Sequence, residues 1–451
     1  MLKAKKYLFT ALMLSGSISI LGQANGETLN GALAKAYSYN GQLNSERAQA
    51  RIVDEDIPIA KSAFLPQISG FGSYSRGLSA TTSHYSTVGI LGIQLSQKLF
   101  DGFVTYNTVM SAETKAAAQR EYVRNTEQNQ LIAAVQAYAD VFQYRRIAQL
   151  RRQNLAALEE QVRADRAKLE VGEGTRTDLA QSEAARSVAI SQLSMAIADA
   201  KSAEATYRQV IGDFPNDLER PTPSPNMPES YDVGMAKGLS THPAIRYSMY
   251  VVDASGYNVK AQKGQLLPQV DFSASTQYNQ IYDGSGVSGR SNSVGVNLTV
   301  PIYTGGRTSA QIRQSKEQLG QAQILLDVAR DQVRQQFADA WAQLEGARAS
   351  VKAYRDSVRA AEIALDGRVQ ENRVGQATTL DVLLSRTSLI DAQISLVAAE
   401  RNVVLASYNL RMSMGRMNAE DLNLNVTRYD PADHNRAVRN KYIGIKTPDG
   451  R

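Results

Sequence analysis

VGEGTRTDLA, residues 171–180, returns as VGQATTLDVL, residues 374–383. Val171 matches Val374, Gly172 matches Gly375, Thr175 matches Thr378 and Asp178 matches Asp381, at a constant offset of 203 residues. Each stretch lies between two long runs of helix-forming residues. Gly172, Gly174 and Gly375 suit the end of a helix, where glycine takes the left-handed backbone that other residues resist. The Thr and Asp that follow, Thr177-Asp178 in the first copy, suit the start of the next helix by capping its free N–H groups. The chain therefore builds the same tight reversal twice.

The duplication extends well beyond the turn. FLPQISGFGSYS (64–75) returns as LLPQVDFSASTQ (266–277), and QKLFDG (97–102) as TVPIYTG (299–305), at offsets of 202 or 203. Pro66 and Pro268 mark the corners where a helix gives way to a strand. Gly102, Gly305 and Gly306 mark the corners where a strand gives way to a helix. A unit about 200 residues long is repeated in tandem, which is the first thing a fold assignment must respect. The expected order is a signal peptide over 1–24, a first repeat over 25–211, a linker over 212–230, a second repeat over 231–427 and a polar, mobile tail over 428–451. The linker, GDFPNDLERPTPSPNMPES, holds five of the twelve prolines and so resists regular structure.

Within each repeat the pattern reads helix, strand, loop, strand, very long helix, turn, helix. The second long helix is the most informative. Its seam runs Leu319, Ala322, Leu326, Ala329, Val333, Phe337, Ala340, Leu344, Ala347, Val351, Tyr354, Val358, Ala361, Leu365. The mean step is about 3.5 residues, the coiled-coil period. No proline interrupts 308–373, and continuous helix over that span is about 100 Å long. Five of the fourteen seam residues are alanine, so a neighbouring helix can approach closely.

In QVDFSASTQYN (269–279) and SVGVNLTVPI (293–302) apolar and polar residues alternate strictly; near 67–76 and 87–97 they do so less cleanly. Alternation over about ten residues suits a strand with lipid on one face and a wet lumen on the other. Lipid forbids an open sheet edge, and four strands cannot close where the smallest membrane barrels have about eight. Strands of this kind require several chains to share one barrel.

The first residues fit a secretory signal. Lys3, Lys5 and Lys6 precede the apolar run from Tyr7 to Leu21, and Gly22-x-Ala24 or Ala24-x-Gly26 offers a cleavage site. An uncleaved anchor would need a longer run, about 20 residues, and no other apolar run of that length is evident. With no cysteine, an exported chain has neither disulfides nor an N-terminal lipid attached through one. The formal charge of +6 comes from the signal and the tail; the residues between are neutral. Without a basic surface a nucleic-acid partner is not expected.

Signal, duplication, LPQ corners, the YTGGR corner (303–307) and the VGxxTxxD turns together resemble the TolC family of outer membrane efflux proteins, over about 27–425. The resemblance implies a mostly α fold with a membrane β part. Three chains would each give four strands to one 12-stranded barrel above a trimeric α-helical tunnel of tandem-duplicated hairpins. It implies an exit duct from periplasm to exterior for drugs or secreted proteins, in the outer membrane. Its partners would be outer membrane lipid, a periplasmic adaptor and an inner-membrane pump or ABC transporter. By position, Asp381 matches an aspartate that rings the family's narrowest constriction. Thr177 and Asp178 match residues that hold the tip closed. Leu384 stands where a second ring aspartate is found, and Asn372 and Ala377 where a tyrosine and an arginine tie the closed state; Arg373 and Arg176 are the available replacements. Plain helix capping by Asp178 and Asp381 is the simpler reading and does not exclude gating.

Two other functions are weighed. For an enzyme, His84, His242 and His434 form no metal-spaced cluster, and no nucleophile elbow or phosphate loop occurs. GSGVSG (284–289) joins two strands with no helix close behind, as an extracellular hairpin tip would. No cofactor is expected. A periplasmic coiled-coil adaptor would explain the hairpins and the signal, but not two pairs of alternating strands at matching places.

Overall fold

The computed structural model describes residues 26–78, 85–282 and 288–450. The signal peptide, His84 and most of the 284–289 tip lie outside these residues. The first repeat runs α1 (Leu29–Tyr39), α2 (Gly41–Lys61), a 3-10 turn at Ser62–Phe64, β1 (Gln67–Leu78), β2 (Tyr85–Phe100), α3 (Val104–Glu170) and α4 (Arg176–Ile211). The second runs α5 (Tyr231–Thr241), α6 (Pro243–Gly264), β3 (Gln269–Ile281), β4 (Gly289–Thr299), α7 (Arg307–Arg373) and α8 (Thr379–Ser413), followed by α9 (Ala432–Val438). α3 and α7 are each 67 residues long, about 100 Å at 1.5 Å per residue.

Every residue of the expected seam on α7 except Tyr354 is buried or half-buried, because α8 packs along it. The thickest core sits halfway down the long helices. Around α3 it gathers Leu33, Leu43, Leu131, Val135, Tyr138 and Tyr207, with Met417 and Leu424 brought in from beyond α8. Around α7 it is built on Phe337, Leu344, Leu410 and Met414. At this height the Pro-rich linker is a packed strap rather than a loose connection. Tyr138 donates its hydroxyl to the carbonyls of Glu27 and Glu219, at 2.5 and 2.8 Å. The buried Arg411 donates to Ser224 Oγ and to the carbonyl of Pro225.

The four strands form one antiparallel sheet in the order β1-β2-β3-β4. Its register places Ile68, Leu95, Ala274 and Val294 in one row, with Leu91, Ile93, Phe272, Val296 and Leu298 on the same face. The opposite face carries Ser69, Gln94, Ser275 and Ser293 in one row and Lys98 against Asp271. One wall is therefore mostly apolar and largely exposed, with Val294 at 75 % and Leu91 at 72 %, while the other is richer in hydroxyl and amide side chains. β4 stops at Thr299, short of the expected 302, since Pro301 has no N–H to pair. β2 continues to Phe100 through a bulge between Lys98 and Phe100.

Two expectations need correction. α8 is long and apolar enough, by composition, to cross a membrane; its apolar residues instead pack against α7 and α3, and it carries Arg386, Asp391 and Arg401. The tail is not featureless either. Tyr429 and Val438 bury against the body, so 428–438 is docked on α2. His434, expected in a free tail, lies 3.5 Å from Asp54.

Pro66 and Pro268 stand immediately before β1 and β3, where proline's bias toward an extended predecessor ends the helix. Gly102, Gly305 and Gly306 all have positive φ at the return corners. Gly102 does more. A Cβ there would lie 2.2 Å from the carbonyl oxygen of Gly264, and one on Gly264 would lie 2.4 Å from that of Gly102. Backbone meets backbone, and nothing flexible can yield. Gly102→Ala is expected to cost about 2–4 kcal/mol in folding stability through overpacking and a left-handed alanine. Chemical denaturation against Gly305→Ala, whose Cβ would meet open space in the single chain, measures the difference.

Candidate functional site

The two hairpin turns lie at the ends of α3 and α7 farthest from the sheet. Each closes its helix identically. Gly172 N–H bonds the Leu169 carbonyl and Glu173 N–H the Lys168 carbonyl; Gly375 N–H bonds Asn372 and Gln376 N–H bonds Glu371. This is the Schellman arrangement, with the glycine in the left-handed region at φ 79° and 77°. Gly174 serves differently: its φ is ordinary, but a Cβ there would lie 3.1 Å from Lys168 Cβ, so it allows close approach. The second repeat has Ala377 at the equivalent place, and the Asn372 amide donates to its carbonyl at 2.9 Å. Asn372 thus ties its own turn.

The next helix begins two residues earlier than Thr177-Asp178 suggested. Thr175 is the cap of α4 and Asp178 sits three residues in, with Asp178 N–H donating to Thr175 Oγ1 at 3.1 Å. In the second repeat Thr378 and Asp381 close a full reciprocal box. Asp381 N–H donates to Thr378 Oγ1 at 3.2 Å, and Thr378 N–H donates to Asp381 Oδ2 at 2.9 Å. Thr177 is exposed, and its hydroxyl has no hydrogen-bond partner among the described residues. Arg176 and Arg373 likewise make no ion pair among them. Within one chain, then, Asp178 and Asp381 act as caps, and among the described residues no hydrogen bond joins the side chain of Thr177 or Asp178 to the second repeat.

What sequence reasoning missed lies just inside the turns. Asp165 is buried on α3, accepting from Ser182 of α4 and from Gln161 at 2.9 Å. Leu383 packs between Leu158 and Ala189, stapling the second hairpin to the first. Arg401 pairs with Asp140 at 2.6 Å higher up. No spacing rule reveals these contacts, because they join residues from different helices. The adjacent Leu384 is 58 % exposed.

A duplicated hairpin with a lipid-compatible sheet at one end and a capped tip at the other narrows the family. The profile of the outer membrane efflux protein family matches residues 32–213 and 236–416, one span for each repeat. The chain belongs to the outer membrane efflux protein family. It is 53 % identical to the outer membrane efflux protein BepC of Brucella suis biovar 1, over 99 % of this chain and 98 % of that one. It is 26 % identical to the proteases secretion protein PrtF of Dickeya chrysanthemi, over 93 % of this chain and 94 % of that one. Its fold matches the Campylobacter jejuni CmeC outer membrane channel with a TM-score of 0.78 at 15 % identity, covering 99 % and 98 % of the two chains.

The Thr378 hydroxyl and N–H, with a smaller contribution from Arg368, hold the Asp381 carboxyl of this efflux protein below its ordinary value of 3.8. A depressed folded pKa means that the capping contribution is complete above the unfolded value and disappears as pH falls through the folded one. Acidification through the carboxylate range is therefore expected to fray the start of α8. Amide exchange at Thr378, normalised to its intrinsic rate, should accelerate there. Asp381→Asn should abolish the pH dependence.

Proposed function

We propose that three copies of this chain close a 12-stranded barrel in the outer membrane. Their hairpins form a tunnel, and the assembly is the exit duct of a tripartite efflux or secretion system. The observation that carries this reading is a set of contacts present once and missing once. Within the chain the first repeat joins the second by pairing β2 with β3 and packing α3 on α6. The equivalent partners at the other side, β4 with β1 and α7 with α2, do not pack together among the described residues. A neighbouring copy placed by the same operation would satisfy both edges, and repetition closes a ring. Lipid tolerates no other arrangement of two open edges. A periplasmic adaptor without a channel would leave the apolar wall of four strands facing water.

The relatives favour a duct with broad cargo, since one is named for efflux and another for secretion of proteases. Such a duct works with an adaptor and an inner-membrane pump or ABC transporter. Chemistry is not its task; it gives passage. The signal at 1–24 takes the chain out of the cytoplasm.

The repeat operation also fixes the register between copies. Gln94 pairs with Ser275 in the chain. Shifting β2 onto β4 by 203 and β3 onto β1 by 202 puts Asn297 opposite Ser73 of the neighbour. Both lie on the hydroxyl-and-amide wall. Asn297→Cys with Ser73→Cys in this cysteine-free chain should therefore yield a covalent trimer on oxidation. Asn297→Cys with Tyr74→Cys, one residue out of register, should crosslink poorly. A monomeric product from the first pair would refute the shared barrel.

Three copies would bring three Asp381 carboxylates around the narrow end. Capping lowers their pKa and mutual repulsion raises it, so they should titrate as one coupled set. While ionised they would favour cations, as acidic rings do in other pores. Asp381→Asn is expected to weaken cation preference and block by multivalent cations in single-channel recordings, with trimer yield little changed. Asp178→Asn should loosen the tip and raise conductance. Unchanged selectivity in Asp381→Asn would reduce Asp381 to a cap.

A further inference from the structure

The C-terminal segment climbs α2 toward the barrel, rung by rung. Tyr429 is held at the lower part of α2: its N–H donates to the Tyr37 hydroxyl at 3.0 Å and its own hydroxyl to the Arg47 carbonyl at 3.3 Å. The Arg47 guanidinium stacks between the Tyr37 and Tyr429 rings, at 4.4 and 5.1 Å. Two turns higher, Asn435 Nδ2 donates to the buried Asp54 at 3.1 Å. At the top of α2, Lys61 Nζ donates to the Arg439 carbonyl at 3.3 Å, and Arg439 itself lies 3.7 Å from Glu113. Glu113 is nine residues into α3, about 14 Å below the point where that helix leaves the barrel. Phe100 and Phe103 stack edge-to-face there, at 5.4 Å, on the side where the aromatic rim of a membrane barrel is found.

Beyond Arg439 the segment changes character. Tyr442, Ile443 and Ile445 are exposed at 50, 92 and 101 %, the highest apolar exposure concentrated in any short stretch of the described tail. Lys441 and Lys446 stand among them; neither ion-pairs with a carboxylate among the described residues, and the Lys441 ammonium donates to the Lys446 carbonyl. Residues 440–450 could extend about 35 Å, more than enough to reach the headgroup layer. Every basic group lower in the tail is already paired: Arg436 with Asp430 and Asp433, and Arg428 with Glu420.

We infer that residues 440–450 are a membrane-surface anchor, which inserts Tyr442, Ile443 and Ile445 into the periplasmic leaflet of the outer membrane. Lys441 and Lys446 meet anionic phospholipid headgroups there. Apolar and aromatic side chains interleaved with lysine are the composition of an interfacial segment, and basic residues gain affinity from an anionic leaflet. A chain with no cysteine cannot carry a thioether lipid, and this segment would supply a noncovalent hold instead. The inference rests on the outer membrane barrel proposed above, so its test carries a separate probe of that barrel.

The native chain lacks cysteine, which allows one nitroxide label per protein. Full-length protein carrying Ile443→Cys, or Ile445→Cys as a second position, is placed in vesicles of phosphatidylethanolamine with phosphatidylglycerol. Val296→Cys on the apolar wall reports lipid, and Glu173→Cys at the hairpin tip reports water. We expect the oxygen-to-nickel accessibility ratio at 443 to approach that at 296, and to fall when phosphatidylglycerol is replaced by phosphatidylcholine. Partitioning of the segment should fall about fivefold for each of Lys441→Gln and Lys446→Gln. A ratio at 443 equal to that at 173 overturns the anchor. So does equal protection of 443 in lipid-free amphipol, which would assign the segment to a neighbouring copy. If 296 itself reports water, the barrel placement fails first and the anchor with it.

Discussion

An unpaired strand edge cannot be left in hydrocarbon, because nothing there replaces water as a hydrogen-bond partner. The sheet of this chain has two such edges, β1 and β4, and a mostly apolar wall left largely exposed among the described residues. Almost everything else follows from satisfying them. Duplication makes the second repeat a copy of the first, so the contact that joins the repeats within a chain is available again between chains. The helices inherit the same operation: α3 leans on α6 as α7 would lean on the next α2. In the proposed assembly one interface, used repeatedly, would build both barrel and tunnel.

The long helices pose a second constraint. A 67-residue helix cannot be held by a single globular core, so its packing is distributed. An alanine-rich seam lets α8 lie close along α7. A thicker collar at mid-height ties α1, the Pro-rich strap and the residues after α8 to α3 through Tyr138, Arg411 and the Leu33–Leu131 cluster. Stability is concentrated at the collar and thins toward the tip. There Leu383, the Asp165–Ser182 contact, the Arg166–Glu183 ion pair and the paired caps hold the hairpins together. A tip secured mainly by local capping is suited to opening, since few long-range contacts must break.

The corners show how little freedom the turns retain. Gly102 and Gly264 touch through their backbones, whereas Gly305 needs only its left-handed φ. The two repeats are thus alike in sequence but differently constrained, because one corner is enclosed by its own chain and the other faces outward. The tips differ similarly: Asp381 completes a reciprocal box, while Asp178 contributes only half of one.

The amino-acid sequence by itself determined the periodic features. The seam from Leu319 to Leu365, the alternation along β3 and β4, the paired glycine turns and the duplication are all local or strictly repeated patterns, and each secondary element has to obey its own period. The first cap lies two residues before Thr177, because Thr175 and Thr177 are equivalent candidates until the backbone bond to Asp178 is seen. The tail was misread for a related reason. Its charges and prolines suggested solvent, but Tyr429 and Asn435 find Arg47 and Asp54 nearly 400 residues away in sequence. The apolar run in α8, which sequence reading passed over, is one that composition does not assign to lipid or to a protein neighbour. Only the tertiary structure decided such matters, because hydrogen bonds and packing between distant residues leave no periodic trace in the chain that makes them.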